Sequence, residues 1–144
     1  ETIIREQWQS VQAIWPDKKL VIEGSAHIRC DENWLGEAFL NLLKNACEHT
    51  SDEGVIRVQL ERTGAAFFCI IEDNGGGVAP DELPKLFQRF YRAQHQNKNG
   101  AGIGLAIVKE IIQRHHGNIV AENGKHGLKM TISMPMLDRN LTNS

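Results

Sequence analysis

Two asparagines with helical spacing are the first residues in this sequence that suggest a chemistry. Asn41 and Asn45 stand four residues apart, which puts both side chains on one side of a helix, one turn apart. An amide oxygen is a neutral, hard ligand of the kind that Mg²⁺ accepts from proteins, while phosphate and water complete its shell. The pair therefore indicates a site for a magnesium-bound phosphate, the alternative being two surface asparagines without a role.

An acidic residue followed by glycines suggests a site for a base. Asp73 ends a continuous apolar run and is followed by Asn74 and the glycines 75–77. A carboxylate only accepts hydrogen bonds, so it suits the exocyclic amine of adenine and rejects the C6 oxygen of guanine. Glycine lets the backbone approach a ligand closely. An ordinary Asp-Asn-Gly turn is the alternative.

A third pattern places glycines at the start of a helix. Gly100, Gly102 and Gly104 precede an apolar helical segment, and the N-terminus of a helix binds phosphate through its free N–H groups. The spacing is not that of a dinucleotide-binding or P-loop motif. Just upstream, the aromatic and arginine residues of 87–92 adjoin a stretch, 92–101, without large apolar side chains. We expect a loop there, and arginine side chains match phosphate oxygens well.

The elements that must position these residues follow from hydrophobic periodicity. We predict helices over 3–15, 32–49, 80–87 and 103–115, and strands over 20–22, 55–60, 65–71, 119–121 and 129–134. Asp31 is the expected N-cap of the second helix. This order predicts an α+β fold, a two-layer sandwich in which helices cover one face of a mixed, mainly antiparallel sheet.

Composition sets limits on the function. The chain has 144 residues, a net charge of −2 and three cysteines without a CxxC pair, so we expect one domain, reduced thiols and no nucleic-acid partner. No apolar run is long enough to span a bilayer. The first residue is Glu1 rather than Met, and we expect a piece of a longer protein.

Taken together and in this order, the patterns resemble those of a known family. The segment 41–46 resembles the N box of sensor histidine kinases, 73–77 their G1 box, 87–92 their F box and 100–105 their G2 box. The resemblance spans about 20–136. It implies the Bergerat ATP-binding fold of the GHKL superfamily, as the catalytic ATP-binding domain of a two-component kinase with Mg²⁺ as cofactor.

The resemblance also implies roles for particular residues. Asn45 would ligate Mg²⁺, Asn41 would face the phosphates or the water shell of the metal, and Asp73 would accept from the adenine amine. Either Arg89 or Arg92 would contact the terminal phosphate. The implied nucleotide-binding set is Asn41, Asn45, His49, Asp73, Gly75, Gly77, Gly100, Gly102, Ile103, Gly104, Leu105 and Thr131, with an ATP lid over 88–101.

Three departures from the family pattern affect the expected pocket. Glu48 stands where many members have a lysine near the phosphates. His49 stands where an aromatic residue often stacks near the nucleotide, and its charge state would make binding sensitive to pH. The segment 127–130 only loosely matches the last glycine box, where a small hydroxyl residue usually follows the glycine.

The implied reaction is transfer of the γ-phosphoryl group of ATP to a histidine on a separate dimerisation domain. None of the six histidines lies in an H-E-x-x-x-P-like stretch, so we expect the acceptor outside this chain, with 1–16 leading from the dimerisation domain and 138–144 frayed. The implied partners are that domain and a response regulator. We expect a homodimeric, membrane-anchored parent with this domain in the cytoplasm, and a monomeric fragment.

Two alternatives remain open from the sequence. One is a catalytically degenerate ATP-binding regulatory module, favoured by Glu48 and the weak last glycine box. The other is a stand-alone GHKL kinase that phosphorylates serine on a protein partner. The arginines and aromatics of 87–92 and the N-terminal helical stripe favour the histidine kinase over the second alternative.

Overall fold

A computed structural model describes residues 1–26, 28, 30–50, 53–88 and 104–135 of the chain. It contains three α-helices, five strands and a short 3₁₀ helix within this part of the chain. In order they are α1 (Thr2–Ile14), β1 (Lys19–Glu23), α2 (Glu32–His49), β2 (Val55–Thr63), β3 (Ala66–Glu72), the 3₁₀ helix (Leu83–Lys85), α3 (Gly104–Arg114), β4 (Asn118–Asn123) and β5 (Leu128–Pro135).

The five strands form one sheet in the order β1-β2-β3-β5-β4. β1 runs parallel to β2, and the other neighbouring pairs are antiparallel. Buried and more exposed residues alternate along β2, β3 and β5, as expected when one face of a sheet is covered. The mixed, mainly antiparallel sheet is therefore confirmed.

The helices cover the buried face of the sheet. Asp31 caps α2, since its side chain accepts from the N–H groups of Asn33 and Trp34 at 3.1 Å each. The apolar side of α2 is buried in the same core as residues of α1 and α3, among them Val11, Leu42 and Val108. The α+β two-layer sandwich is confirmed, with α2 as the helix that carries the predicted asparagines.

The predicted helix over 80–87 is wrong in its extent. A 3₁₀ helix of three residues, Leu83–Lys85, forms instead. Pro84 lies inside this segment and lacks an N–H group, so it cannot donate the backbone bond that an α-helix would need at that position. β2 extends to Thr63 rather than Leu60, because its polar last residues still pair with β3.

Several predictions fall outside the described residues. These include nearly all of the expected lid over 88–101 and the expected frayed tail over 138–144. Among the residues that are described, no helix has the length and apolar character needed to cross a membrane.

Candidate functional site

One side of α2 carries a polar stripe that runs along the site. Asn41, Asn45 and His49 recur every four residues; Asn41 and Asn45 are half-buried, and the side chain of His49 is 3% exposed. From Asn41 to His49 the helix rises about 12 Å. The stripe therefore presents two amides and one imidazole in a row, with His49 at the C-terminal end of the helix.

Asp73 follows β3 and is fixed at the His49 end of this stripe. It is 3% exposed, and its Oδ1 accepts from the N–H groups of Gly75 (2.9 Å) and Leu128 (3.2 Å). Its own N–H donates to the Leu128 carbonyl at 3.1 Å. Among the described residues, Oδ2 has a single hydrogen-bond partner, His49, so this oxygen retains capacity to accept from a ligand.

His49 is directed at Asp73 rather than left open for stacking. Its Nδ1 lies 3.3 Å from both carboxylate oxygens, and both side chains are 3% exposed. The hydrogen bond to Asp73 raises the pKa of His49, while burial acts in the opposite direction. The structure thus places this predicted site residue beside Asp73, in a contact different from the one that the resemblance implied.

Two glycines allow the backbone to close around Asp73. A Cβ at Gly75 would overlap with the carbonyl oxygen of His49, and a Cβ at Gly127 would overlap with Oδ1 of Asp73. Any larger residue would push this wall apart. Gly127 was absent from the predicted site residues, although the loosely matching last glycine box contains it.

In the family a small hydroxyl residue usually follows the last glycine, and here Leu128 stands in its place. The hydrogen bond to Asp73 is nevertheless present. Leu128 follows Gly127 and bonds Asp73 through its backbone N–H, which every residue except proline provides. Asn123 is a second residue that sequence reasoning missed. Its Oδ1 accepts from the Val78 N–H (2.9 Å) and its Nδ2 donates to the Val78 carbonyl (2.7 Å), so it fastens the glycine loop next to Gly77.

Asn41 in α2 lies next to Gly104, the first residue of α3. The asparagine pair and the second glycine motif are thus neighbours in space. Nδ2 of Asn41 donates to the carbonyl of Glu37 (2.9 Å) and to the Glu37 carboxylate (3.3 Å). Its Oδ1 consequently faces Gly104, 2.8 Å from where a Cβ on that glycine would lie. An amide oxygen in this position suits a metal ion or its water shell, both of which offer a partner to an acceptor.

Asn45 and Glu48, both in the C-terminal half of α2, differ in the partners of their side chains. Within the described chain, the Asn45 side chain forms no hydrogen bond and is half-buried. Burial raises the pKa of the neighbouring Glu48, and Lys44 opposes this effect. Glu48, which stands where many family members have a lysine, thus has a positive charge nearby on its own helix, that of Lys44.

Thr131 does not join the other predicted residues. It pairs with Ile70 and Val120 across the sheet, whereas its neighbours in β5, Met130 and Ile132, are buried in the core. Because side chains alternate along a strand, Thr131 faces away from the helices and from Asp73. The structure therefore does not bring Thr131 together with the other predicted residues.

The remaining predicted residues lie outside the described part of the chain. They are Arg89, Arg92, Gly100, Gly102 and Ile103. Of the second glycine motif, the structure describes Gly104 and the buried Leu105 at the start of α3.

The described groups fit an adenine nucleotide with a hard metal ion. At one end is an acceptor-only carboxylate with a partly free oxygen, enclosed by glycine backbone. At the other end an amide oxygen faces the N-terminal end of a helix. These partners suit a base with an exocyclic amine at the first end and a metal-bound polyphosphate at the second.

Comparison with known proteins supports this interpretation. Residues 30–138 match the sequence profile of the family described as "Histidine kinase-, DNA gyrase B-, and HSP90-like ATPase". The probable sensor kinase SilS of Salmonella typhimurium is 35% identical over 112 residues, which cover 76% of this chain and 22% of that protein. The sensor histidine kinase CusS of Escherichia coli K12 is 36% identical over 108 residues, which cover 73% and 22% respectively.

Solved structures share the fold. A mycobacterial sensor histidine kinase, MprB, superposes with a TM-score of 0.86 at 27% identity and covers 93% of both chains. The catalytic domain of the histidine kinase ThkA superposes with a TM-score of 0.83 at 23% identity, over 94% of this chain and 91% of that one. The chain spans about a quarter of the length of the curated relatives it matches, 22% and 25% for the first two.

Proposed function

The chain belongs to the family of histidine kinase-, DNA gyrase B- and HSP90-like ATPases, as a domain of the sensor histidine kinase type, and from this we propose that it binds Mg·ATP and donates the γ-phosphoryl group to a histidine of a separate domain. The convergence of Asp73, His49 and Asn41 with the start of α3 carries this proposal. These groups come from distant parts of the sequence and line one site along α2.

Each group has a separate task in the proposed reaction. Asp73 accepts from the exocyclic amine of adenine and so selects this base. The backbone N–H groups at the start of α3 bind phosphate oxygens. Asn45 would hold the metal, and Oδ1 of Asn41 would face the metal's water shell. Bound Mg²⁺ supplies positive charge that offsets the negative charge of the phosphates.

Phosphoryl transfer then depends on positioning and on electrostatic stabilisation. The nitrogen of the incoming histidine attacks the γ-phosphorus, and the bond from that phosphorus to the oxygen of the departing ADP breaks. The domain contributes by holding the nucleotide with its terminal phosphate directed outward. Arg89 or Arg92 is proposed to contact that phosphate.

The partners are proposals of the same kind. The matched relatives are named sensor proteins and sensor kinases, which favours a histidine-bearing dimerisation domain and a response regulator over the serine-kinase alternative. We also propose a homodimeric parent protein anchored in a membrane, with this domain in the cytoplasm.

Mixing the protein with γ-labelled ATP and the histidine-bearing segment of its parent tests the function. We expect acid-labile label on the segment, as phosphohistidine is acid-labile, and no label with Asp73→Asn. Gly75 and Leu128 occupy Oδ1, so the amide nitrogen of the variant would take the Oδ2 position and oppose the base amine. Asp81→Asn, an exposed change of the same chemistry, is the control. Acid-stable label or none with the wild-type protein would contradict the proposal.

A further inference from the structure

The proposed transfer of phosphate makes no use of the His49 ring, although this ring is deeply buried at the base site. Its side chain is 3% exposed, like that of Asp73. Its Nδ1 reaches both carboxylate oxygens at 3.3 Å. Burying polar groups is costly unless they bond each other, so the pair forms one unit in which each side chain satisfies the other.

The ring also connects the three segments that enclose the base site. It projects from the last residue of α2 and contacts Asp73 after β3, and the backbone of Gly77 in the glycine loop contributes to the raised pKa of the ring. The backbone of Gly75 packs so closely on the His49 carbonyl that a Cβ there would overlap with it. A shift of His49 would therefore change the contacts among all three segments.

The two carboxylate oxygens of Asp73 differ in their hydrogen-bond partners, and the His49 ring contacts the one that is less occupied. Oδ1 already accepts from two backbone N–H groups, those of Gly75 and Leu128. Oδ2 is the oxygen with spare capacity, and among the described residues its partner is His49. An imidazole held by its Nδ1 against a carboxylate, with almost no exposed surface, has no free face on which a base could lie.

We propose that His49 is a positioning residue of the base site rather than a stacking surface, holding the Asp73 carboxylate in the orientation that presents Oδ2 to the exocyclic amine of adenine. The role rests on the proposed nucleotide-binding function and deepens it. It requires an N–H donor on the side chain at position 49, whereas stacking requires an aromatic face. These two requirements can be separated by substitution.

The charge of the ring adds a second, measurable consequence. Nearby charged groups are the Asp73 carboxylate, the Lys18 ammonium on Thr50, and Glu48 on the same helix. The Cys47 thiol is neutral, because burial raises its pKa to about 12. The hydrogen bond to Asp73 raises the pKa of His49, so the folded protein favours the imidazolium, which offsets the buried negative charge of Asp73.

The sign of the pH dependence follows from this raised pKa. Below it the ring is charged, and Asp73 has both a donor and a compensating charge. As pH rises through the folded-state pKa of His49, the charge is lost while a neutral ring can still donate from Nδ1. We therefore expect affinity for MgADP to decrease moderately across this transition, and we expect no such step in a variant without an imidazole.

Calorimetric titration of MgADP into matched variants tests the role. His49→Phe keeps the aromatic face and loses the donor, so we expect about tenfold weaker binding. His49→Gln keeps an amide donor, so we expect its affinity for MgADP to lie between those of the wild type and His49→Phe. We also expect its affinity to lack the pH-dependent step. His126→Gln, at an exposed histidine, is the control and should bind as the wild type does. His49→Phe binding as tightly as the wild type, with His49→Gln weaker, would overturn the proposal in favour of stacking.

Imidazole ¹⁵N NMR of the nucleotide-free protein provides a readout that does not depend on binding or folding of the Phe variant. We expect the His49 ring to stay doubly protonated to higher pH than an ordinary histidine, and to lose this shift in Asp73→Asn. An ordinary titration would overturn the proposal. If the wild-type protein binds no adenine nucleotide, the proposed function itself is overturned. If the wild type binds and His49→Phe binds equally tightly, only the role of His49 is overturned.

Discussion

At the scale of single residues, the site is defined by polar atoms whose partners are only partly supplied by the protein. Asp73 has one oxygen saturated by backbone donors and one left with His49. Asn41 has its amide nitrogen bound to Glu37, which orients its oxygen. Such partial satisfaction determines which atom a ligand can use, since a buried polar group that is left unpaired is costly.

Asn45 provides the prediction that belongs to this scale. Its side chain has no hydrogen-bond partner among the described residues, and it lies one turn from both Asn41 and His49. Asn45→Ala should therefore leave stability within about 0.5 kcal/mol of the wild type while the dependence of nucleotide affinity on Mg²⁺ disappears. Calorimetry with and without Mg²⁺, beside urea unfolding, measures both effects. Undiminished Mg²⁺ dependence would assign the metal to another residue.

At the scale of elements, α2 is the part that connects the two ends of the site. Its N-terminus is capped by Asp31. Its C-terminal end is held by Lys18, which is 5% exposed and donates from Nζ to the carbonyl oxygen (2.9 Å) and the hydroxyl (2.8 Å) of Thr50. A cation at this end also suits the helix dipole. The position of His49 thus depends on a residue that lies before β1.

Lys18→Met tests this dependence. Loss of charge-assisted hydrogen bonds at the end of α2 should lower the free energy of unfolding by about 2 kcal/mol, and nucleotide affinity should decrease because His49 is less well held. Lys19→Met, at the exposed neighbouring lysine, is the matched control and should change stability by less than about 0.5 kcal/mol. Equal urea-unfolding midpoints for the two variants would show that Lys18 does not hold the helix.

At the scale of the whole molecule, the layered arrangement brings together segments that are far apart in the chain. The pair His49–Asp73 is separated by 24 residues and the contact from Leu128 to Asp73 by 55 residues. β3 lies at the centre of the sheet between β2 and β5. Asp73 thus emerges from a strand that is hydrogen-bonded on both sides, which gives the base site a rigid floor.

Hydrogen exchange tests whether these segments act as one site. Adding MgADP should slow amide exchange together in 45–50, in 73–77 and at the start of α3, since a ligand bound to all three opposes their local opening. In Asp73→Asn the slowing should be lost from all three at the same nucleotide concentration. Protection confined to one segment would contradict a shared site.

Much of the fold and part of the site were predictable because their signals are local. Helical spacing of apolar residues, the Asp31 cap and the glycines after Asp73 specify elements and turns within a few residues. Thus α2 was predicted over 32–49 and observed as Glu32–His49. The helix expected over 80–87 failed for a reason that is equally local, since Pro84 interrupts it.

The sequence by itself indicated which residues could carry the chemistry, and the tertiary structure decided which of their atoms meet. That His49 bonds Asp73, that Leu128 contributes a backbone N–H, and that Thr131 faces the other side of the sheet all depend on strand register and on how α2 lies across the sheet. The physical reason is that residue type and spacing act over one or two turns, whereas register is set by packing of the whole buried face.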